Sequence, residues 1–157
     1  MRLKSLFISG ILVVSISLPV FAKPDISLVL DKNKLANING KQVLKDADKV
    51  MPGEVMVYTI KATNKGDSAA VQFETVGDIP SNTIYMPENN VSADYKILFS
   101  IDGGKSYQEK PTINVKQKGK NIVKDAPVST YNKIKFSFLK ALDAKKTVNL
   151  VYKVKVK

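Results

Sequence analysis

The sequence contains no cysteine, no histidine and no tryptophan, and its only arginine is Arg2. Without cysteine the chain has no disulfide framework, no iron–sulfur cluster and no thiol nucleophile. Without histidine it has neither a Ser-His-Asp triad nor an imidazole-ligated zinc or blue-copper site. These absences exclude many catalytic and redox functions. The chain has 157 residues, and the 135 that follow the first 22 are enough for one domain with a full hydrophobic core.

Charge is distributed unevenly along the chain. Residues 23–104 contain 9 lysines and 11 acidic residues, whereas residues 105–157 contain 14 lysines and 3 acidic residues. The net charge therefore changes from −2 in the first region to +11 in the second. Such asymmetry indicates an anionic partner or, alternatively, lysines that solvate the outer faces of strands. Several of these lysines alternate with apolar residues, which favours the second interpretation.

The first 22 residues have the pattern of an export signal. Arg2 and Lys4 form a positive region, residues 6–18 are apolar, and Val20-Phe21-Ala22 ends in a small residue. This pattern predicts cleavage before Lys23. The apolar run is shorter than the roughly 20 residues that a membrane-spanning helix needs, which argues against an uncleaved anchor.

The signal and the remaining sequence together predict the organisation of the chain. We expect residues 1–22 to be a cleavable signal helix and residues 23–157 to be a single domain. Nothing downstream of the signal reaches the length of a membrane span. The product is expected to be exported, either periplasmic or secreted, and soluble after signal cleavage.

The sequence after the signal is dominated by apolar residues at alternate positions, a pattern typical of half-buried strands. Turn signals such as Asn39-Gly40 and Asp102-Gly103-Gly104 separate these runs. We therefore predict an all-β protein, an antiparallel β-sandwich of about 7–8 strands. The alternating runs occupy residues 26–31, 56–62, 71–73, 97–101, 113–115, 134–138 and 147–156.

Two regions stand out from this pattern in opposite ways. Residues 32–48 are polar and rich in asparagine and lysine, and they predict a long loop with one short strand at residues 42–45. Residues 147–156 show the cleanest alternation in the chain and predict an integral strand. The apolar face of that strand would consist of Val148, Leu150, Tyr152, Val154 and Val156.

Several segments in the middle of the chain resemble a known family. They are Pro52-Gly53-Glu54, the strand that contains Tyr58, Asn64-Lys65-Gly66, Val76-Gly77-Asp78-Ile79-Pro80, and the hairpin sequence Asp102-Gly103-Gly104. In this order they resemble the conserved repeat of bacterial surface proteins catalogued as domain of unknown function eleven. The chain departs from the family near its end, where Lys135-Phe136 stands in place of the frequent Arg-Trp.

The resemblance implies an immunoglobulin-like sandwich in an exported protein. The family usually occurs as tandem arrays in large surface proteins, whereas this chain has one copy. The residues themselves suggest structural roles. Gly53 and Gly66 are expected at turn positions with positive φ, and Asn64 is expected to bond its own turn backbone. Tyr58 is expected to bury its ring and direct its hydroxyl at a loop carbonyl.

The spacing of Ser100, Asp102, Gly104 and Ser106 also fits the Asp-box of sialidases and other propeller hairpins, in which the aspartate caps a hairpin. A sialidase needs arginines to hold the substrate carboxylate, and the predicted domain has none. We therefore interpret this motif as a β-turn.

The acidic residues give little support to an enzyme or to a metal site. The four glutamates, Glu54, Glu74, Glu88 and Glu109, show no spacing that would bring two of them together for glycoside hydrolysis. Asp46 with Asp48, or Asp102, are weak candidates for calcium because no EF-hand or repeat-type loop is present. We expect no enzymatic activity, no metal and no cofactor, and a hydrolase or redox enzyme is the disfavoured alternative.

The best candidate binding residues are basic. Lys116, Lys118 and Lys120 alternate around Gly119 near a predicted hairpin tip, and Lys124 lies close by. These four lysines are candidate polyanion contacts. The lack of arginine and of interleaved aromatic residues argues against a specific nucleic-acid site.

These observations predict a non-enzymatic exported envelope or surface protein with a structural or interaction role, for which another envelope protein is a candidate partner. The alternative is a binder of an anionic envelope polymer, such as lipopolysaccharide, teichoic acid or acidic polysaccharide, through the lysine-rich C-terminal third.

Overall fold

The computed structural model describes residues 22–88 and 92–157, and these residues form ten strands. The strands are β1 (Ile26–Ile38), β2 (Lys41–Asp46), β3 (Val55–Asn64), β4 (Glu74–Asp78), β5 (Thr83–Met86), β6 (Tyr95–Ser100), β7 (Thr112–Gln117), β8 (Lys120–Asp125), β9 (Lys133–Phe138) and β10 (Thr147–Val156). A short 3₁₀ turn, Val128–Thr130, precedes β9. The predicted signal helix lies outside the described residues except for Ala22. Among the described residues, no helix is long and apolar enough to cross a membrane.

The strands form three antiparallel sheets. The large sheet has the order β2-β1-β3-β10-β5, the small sheet has the order β4-β9-β6, and β7 and β8 form a separate hairpin. The predicted all-β, antiparallel class is confirmed. The expected number of 7–8 strands is too low, because β2, β5 and β8 are short strands that lack an extended apolar alternation.

The large and small sheets share one hydrophobic core. Tyr58 of β3 stacks on Tyr152 of β10 with ring centroids 5.1 Å apart, and Phe136 of β9 lies 6.4 Å from Tyr152. The contacts therefore join the two sheets face to face. The buried members of this core are Met56, Tyr58, Ile60, Ile79, Tyr85, Ile134, Phe136, Leu150, Tyr152 and Val154.

Strand β10 lies inside the large sheet, paired with β3 on one side and with β5 on the other. Leu150, Tyr152 and Val154 are buried on its inner face, and Val148 and Val156 are half-buried. The prediction of an integral C-terminal strand is therefore confirmed.

The predicted long loop at residues 32–48 is wrong. Strand β1 continues to Ile38, and the turn at Asn39-Gly40 returns the chain as β2, which contains the short strand expected at residues 42–45. Asn39 and Gly40 both have positive φ, as a tight two-residue hairpin turn requires. The sequence pattern concealed β1 because lysines occupy positions where an inner face normally has apolar residues. Lys32 and Lys34 pair in register with Tyr58 and Met56, which are core residues of β3.

The first half of β1 extends beyond the area that the small sheet covers. Leu28 and Leu30 pair with Ala62 and Ile60 of β3, so they belong to the inner face of the large sheet. They nevertheless remain 51% and 48% exposed, respectively. A five-stranded sheet facing a three-stranded one thus leaves an uncovered apolar strip.

Two local predictions also need correction. Residues 71–73 are not a strand, because Gln72 has a φ of 53° in a turn and the strand begins at Glu74. Gly66 does not have positive φ, whereas Gly53 does, at 86°. Gly66 is required for another reason: a Cβ at this position would lie 2.2 Å from the carbonyl oxygen of Lys23.

Candidate functional site

The motif at Asp102 is a closed turn. The hydroxyl of Ser100 donates to Asp102 Oδ1 at 2.7 Å, and the backbone N–H groups of Lys105 and Ser106 donate to the same oxygen at 3.0 Å. The hydroxyl of Ser106 donates to Oδ2 at 2.6 Å. These bonds, those from Ser106 first, hold the pKa of Asp102 well below its usual range. Both oxygens of Asp102 are used to close the loop, as the interpretation as a β-turn predicts.

Asn64 ties together three segments that are distant in sequence. Its Nδ2 group donates to the carbonyl oxygens of Ser68 and Leu142, and its Oδ1 accepts from the N–H groups of Asp25 and Gly66. The bond to Gly66 confirms that Asn64 bonds its own turn. The side chain is fully buried with donor and acceptor atoms satisfied, so its role is structural.

A tyrosine hydroxyl does bond a backbone carbonyl, but the residue is Tyr152 and the acceptor lies at the end of strand β4. The hydroxyl of Tyr152 donates to the carbonyl oxygen of Asp78 at 2.8 Å. Burial, with smaller contributions from the nearby Tyr58 and Asp78, raises the pKa of Tyr152. Tyr58 buries its ring as predicted, but the hydrogen bond expected of it belongs to its stacking partner.

Ion pairs neutralise part of the charge asymmetry seen in the sequence. Five lysines of the C-terminal third pair with five acidic residues that precede residue 104. The pairs are Lys133–Asp78, Lys135–Glu74, Lys140–Asp94, Lys145–Asp67 and Lys153–Glu88. Lys133, Lys135 and Lys153 lie on strands, so the outer-face interpretation is supported at these three positions. Lys140 and Lys145 lie in loops.

The four candidate polyanion contacts lie on the β7–β8 hairpin, whose strands carry exposed side chains at most positions. Lys120 and Lys124 share one face because they are four residues apart on β8, whereas Lys116 projects from the other face of the hairpin. Lys118 lies in the turn, with a φ of 50°. The hairpin thus brings the four lysines to one projecting element but not to one face.

None of these four ammonium groups belongs to an ion pair among residues 22–88 and 92–157. Residues 112–125 contain four lysines and one aspartate, which gives the hairpin a net charge of +3.

A second candidate surface is a cleft between β1 and β4, with a volume of about 450 Å³. Leu28 and Leu30 form one wall, the backbone and side chains of residues 75–78 form the other, and Tyr58 and Tyr152 lie in its lining. Its position matches the uncovered strip of the large sheet. The sequence analysis missed this surface, although Lys32 and Lys34, in phase with Leu28 and Leu30, were a signal that the inner face of β1 is not fully covered.

Strand β4 is an edge strand of the small sheet, since its only partner among the described strands is β9. The flanking bonds, from Phe138 N–H to Phe73 O and from Ile79 N–H to Asn132 O, show that odd-numbered residues direct their backbone groups to β9. The backbone groups of Glu74, Val76 and Asp78 therefore point away from β9 and towards the cleft. The hydroxyl of Tyr152 reaches the carbonyl of Asp78 from that side.

Within the part of the chain that the structure describes, no group of three or more acidic side chains is arranged to hold a metal ion. Comparison with protein-family models, with curated proteins and with solved structures finds no match to this chain. The resemblance to the conserved repeat of bacterial surface proteins accordingly rests on the residues alone.

Proposed function

We propose that this chain is an exported, non-enzymatic, immunoglobulin-like β-sandwich that acts in the cell envelope by binding another envelope protein. The observation that carries the proposal is the mismatch between a five-stranded and a three-stranded sheet. It leaves Leu28 and Leu30 about half exposed on a face that sheets normally bury. An apolar strip on an inner face is a typical feature of a surface that a partner covers.

The structural roles of the buried polar groups support the non-enzymatic part of the proposal. Asn64 and Ser100 are buried, and the described side-chain hydrogen bonds of both hold turns or neighbouring chain segments in place. The Asp102 carboxylate, whose pKa is shifted more strongly than that of the other described carboxylates, also closes a turn. Perturbed groups at catalytic sites usually face a cleft and a substrate. Here these groups stabilise loops, so the surface features are better candidates for function.

Export is tested by expressing the full chain with a C-terminal tag and separating periplasmic from cytoplasmic fractions. The expected result is a periplasmic or released product whose N-terminal residue is Lys23. Retention of the uncleaved chain in the cytoplasm would contradict the export part of the proposal.

Partner binding is tested by photo-crosslinking in the cells that produce the protein. A photoreactive phenylalanine analogue replaces Leu30 in one variant and Val29 in the control variant. Val29 is as exposed as Leu28 but lies on the outer face of the same strand. We expect an adduct with a second envelope protein at position 30 and not at position 29. Equal labelling at the two positions, or none at either, would count against the proposal.

The β7–β8 hairpin favours a second candidate function, the binding of an anionic envelope polymer. Its lysines lack carboxylate partners among the described residues, whereas five other lysines of the C-terminal third are paired. Contacts of this type weaken as salt is added, because counterions compete for the same charges.

The test is elution from heparin and lipopolysaccharide resins in a salt gradient. The triple variant Lys116→Gln, Lys118→Gln and Lys120→Gln should elute at clearly lower salt than the unmodified protein. The matched control replaces Lys61, Lys146 and Lys155, which are exposed and lie outside the hairpin, and so changes the net charge equally. If both triple variants elute together, the hairpin is not a binding site and only net charge matters.

A further inference from the structure

We infer that the outer edge of β4 and the cleft beside it accept an extended peptide strand that carries basic residues four positions apart, as an additional strand of the small sheet. This inference rests on the proposed interaction role and names the chemical class of the partner segment. Addition of a strand to an exposed sheet edge is a recurrent mode of peptide recognition.

The backbone of β4 provides the first requirement. Val76 directs its N–H and C=O groups away from β9, at the centre of the edge, and Glu74 and Asp78 have the same orientation on either side. Outside the pairing of β4 with β9, none of the described hydrogen bonds uses the N–H of Val76. A strand paired here would lie about 4.8 Å from β4 and would therefore extend over β1.

The cleft provides the second requirement. Thr75 and Gly77 face the core, so the residues of an added strand that lie beside them would also point inward. Those two side chains would lie over Leu28 and Leu30, the apolar residues that the small sheet leaves exposed. The inward positions of the peptide, its second and fourth residues, should therefore be apolar.

The acidic side chains on the outer face of β4 provide the third requirement and define the chemistry of the partner. Glu74 and Asp78 project from the outer face of β4, four residues apart. Each forms an ion pair, with Lys135 and Lys133 respectively, yet each carboxylate is more exposed than its lysine: 46% against 20% and 77% against 32%. The carboxylates thus remain accessible from the free edge, and residues opposite them should be lysine or arginine.

Strand β9 already shows part of this pattern on the other edge of β4. Lys133 lies opposite Asp78, Ile134 and Phe136 point into the core, and Lys135 reaches Glu74. Ser137, not a basic residue, lies opposite Glu74 in β9. The partner strand we propose keeps the inward apolar positions of β9 but has a basic residue opposite each carboxylate: a basic residue, an apolar residue, any residue, an apolar residue, and a second basic residue.

The direct test uses the protein without its signal and two synthetic peptides with blocked ends, Lys-Val-Thr-Val-Lys and, as the control, Glu-Val-Thr-Val-Glu. Amide hydrogen exchange is followed residue by residue by NMR. With the basic peptide, exchange at Val76 and Asp78 should slow, whereas Thr75 and Gly77, whose N–H groups already point to β9, should not change. Equal effects of both peptides, or no added protection at Val76, would overturn the inference.

Two pairs of variants test the contributions of the apolar cleft and of the acidic side chains of β4 separately. Leu28→Lys should weaken binding of the basic peptide about tenfold, whereas Val29→Lys, equally exposed on the outer face, should have little effect. Asp78→Asn should weaken it about two- to fivefold, whereas Asp67→Asn should not. Asp67 is a close match, because it is 77% exposed and paired with Lys145. If the members of either pair behave alike, the proposed contacts are wrong.

Failure of this inference differs from failure of the proposed function. If the basic peptide leaves Val76 unprotected while crosslinks form at position 30 in cells, the partner binds without strand addition, and the inference is overturned. If the peptide protects Val76 but no envelope protein is crosslinked at position 30, strand addition is supported, whereas the proposed function is contradicted.

Discussion

Tyr152 and Gly77 fit together across the interface of the two sheets. A Cβ atom at Gly77 would lie 2.8 Å from the hydroxyl oxygen of Tyr152, so only glycine leaves room for the ring. In that space the hydroxyl reaches the carbonyl of Asp78, the next residue of the same edge strand. The large sheet thereby holds the backbone of β4 directly, by a hydrogen bond as well as by apolar packing.

The first prediction concerns this contact. Gly77→Ala should destabilise the fold by about 1–3 kcal/mol, because the methyl group and the tyrosine ring cannot both be accommodated. Tyr152→Phe should cost about 1 kcal/mol, the net value of one hydrogen bond. Urea unfolding measures both. Tyr58→Phe, which alters the other ring of the stack, serves as the control, and an unchanged midpoint for Gly77→Ala would contradict the prediction.

The second prediction concerns alkaline pH. The pKa of Tyr152 is raised in the folded state, chiefly by burial, above the value of about 10 expected of an unfolded tyrosine. Its contribution to stability is therefore fully present below pH ~10 and is lost as the pH rises further. The free energy of unfolding should fall above that pH, and less steeply in Tyr152→Phe. Identical pH profiles for the two proteins would exclude this role.

The third prediction concerns Asn64. Replacement by alanine leaves the N–H groups of Asp25 and Gly66 and the carbonyls of Ser68 and Leu142 without their partner. An unsatisfied buried group costs about 1–3 kcal/mol, so Asn64→Ala should lose about 3 kcal/mol or more of unfolding free energy. Asn149→Ala, on the exposed face of β10, should change it little. Comparable thermal midpoints would show that the three segments hold together without Asn64.

The fourth prediction concerns Asp102 at acid pH. Because its pKa is lowered in the folded state, its stabilising effect is present above the unfolded value of about 3.9 and is lost only when the pH falls through the lower folded value. The carboxyl carbon of Asp102 should therefore show no NMR titration near pH 4. Ser106→Ala, which removes the largest cause of the shift, should move the titration towards pH 4, whereas Ser81→Ala should not.

The fifth prediction concerns β10. Deletion of residues 148–157 should abolish cooperative unfolding, because Leu150, Tyr152 and Val154 each contribute roughly 1.5–3 kcal/mol by burial. Their sum is comparable with the ~5–15 kcal/mol net stability of a domain. Changing Lys153, Lys155 and Lys157 to serine should lower the melting temperature by no more than about 5 °C, since a solvent-accessible ion pair such as the half-buried Lys153–Glu88 contributes about 0–1 kcal/mol.

A truncated protein that still melted cooperatively near the temperature of the full chain would show that β10 is an accessory strand. For the lysine variants, circular dichroism melting is the measurement. A much larger fall in the melting temperature would show that the ion pair between Lys153 and Glu88 stabilises the domain more than expected.

The sequence predicts the parts of the fold in which burial follows alternation. Strands β3, β9 and β10 have one face in the core, so their apolar residues recur at every second position and are easily recognised. Strand β1 escaped recognition beyond Asp31 for the opposite reason. Its inner face carries Lys32, which is exposed, and Lys34, which pairs with Glu54, so the pattern resembles that of a loop.

The candidate site was only partly predictable for a related reason. The basic hairpin tip is a local feature, and the spacing of Lys116, Lys118 and Lys120 around Gly119 predicts it. The cleft depends on which strands lie opposite each other in separate sheets, and one sequence does not specify that alignment. The same limitation applies to the ion pairs, whose partners come from distant parts of the chain.

The order of the strands in the large sheet constrains when the domain can assemble. The strand latest in the sequence, β10, is inserted between β3 and β5, which lie much earlier. A chain that emerges N-terminus first, from a ribosome or from a secretion channel, holds β3 and β5 apart until the last stretch appears. Before that moment Tyr58 and Phe136 lack the neighbour that completes their packing. The large sheet can therefore be completed only after nearly the whole chain has emerged.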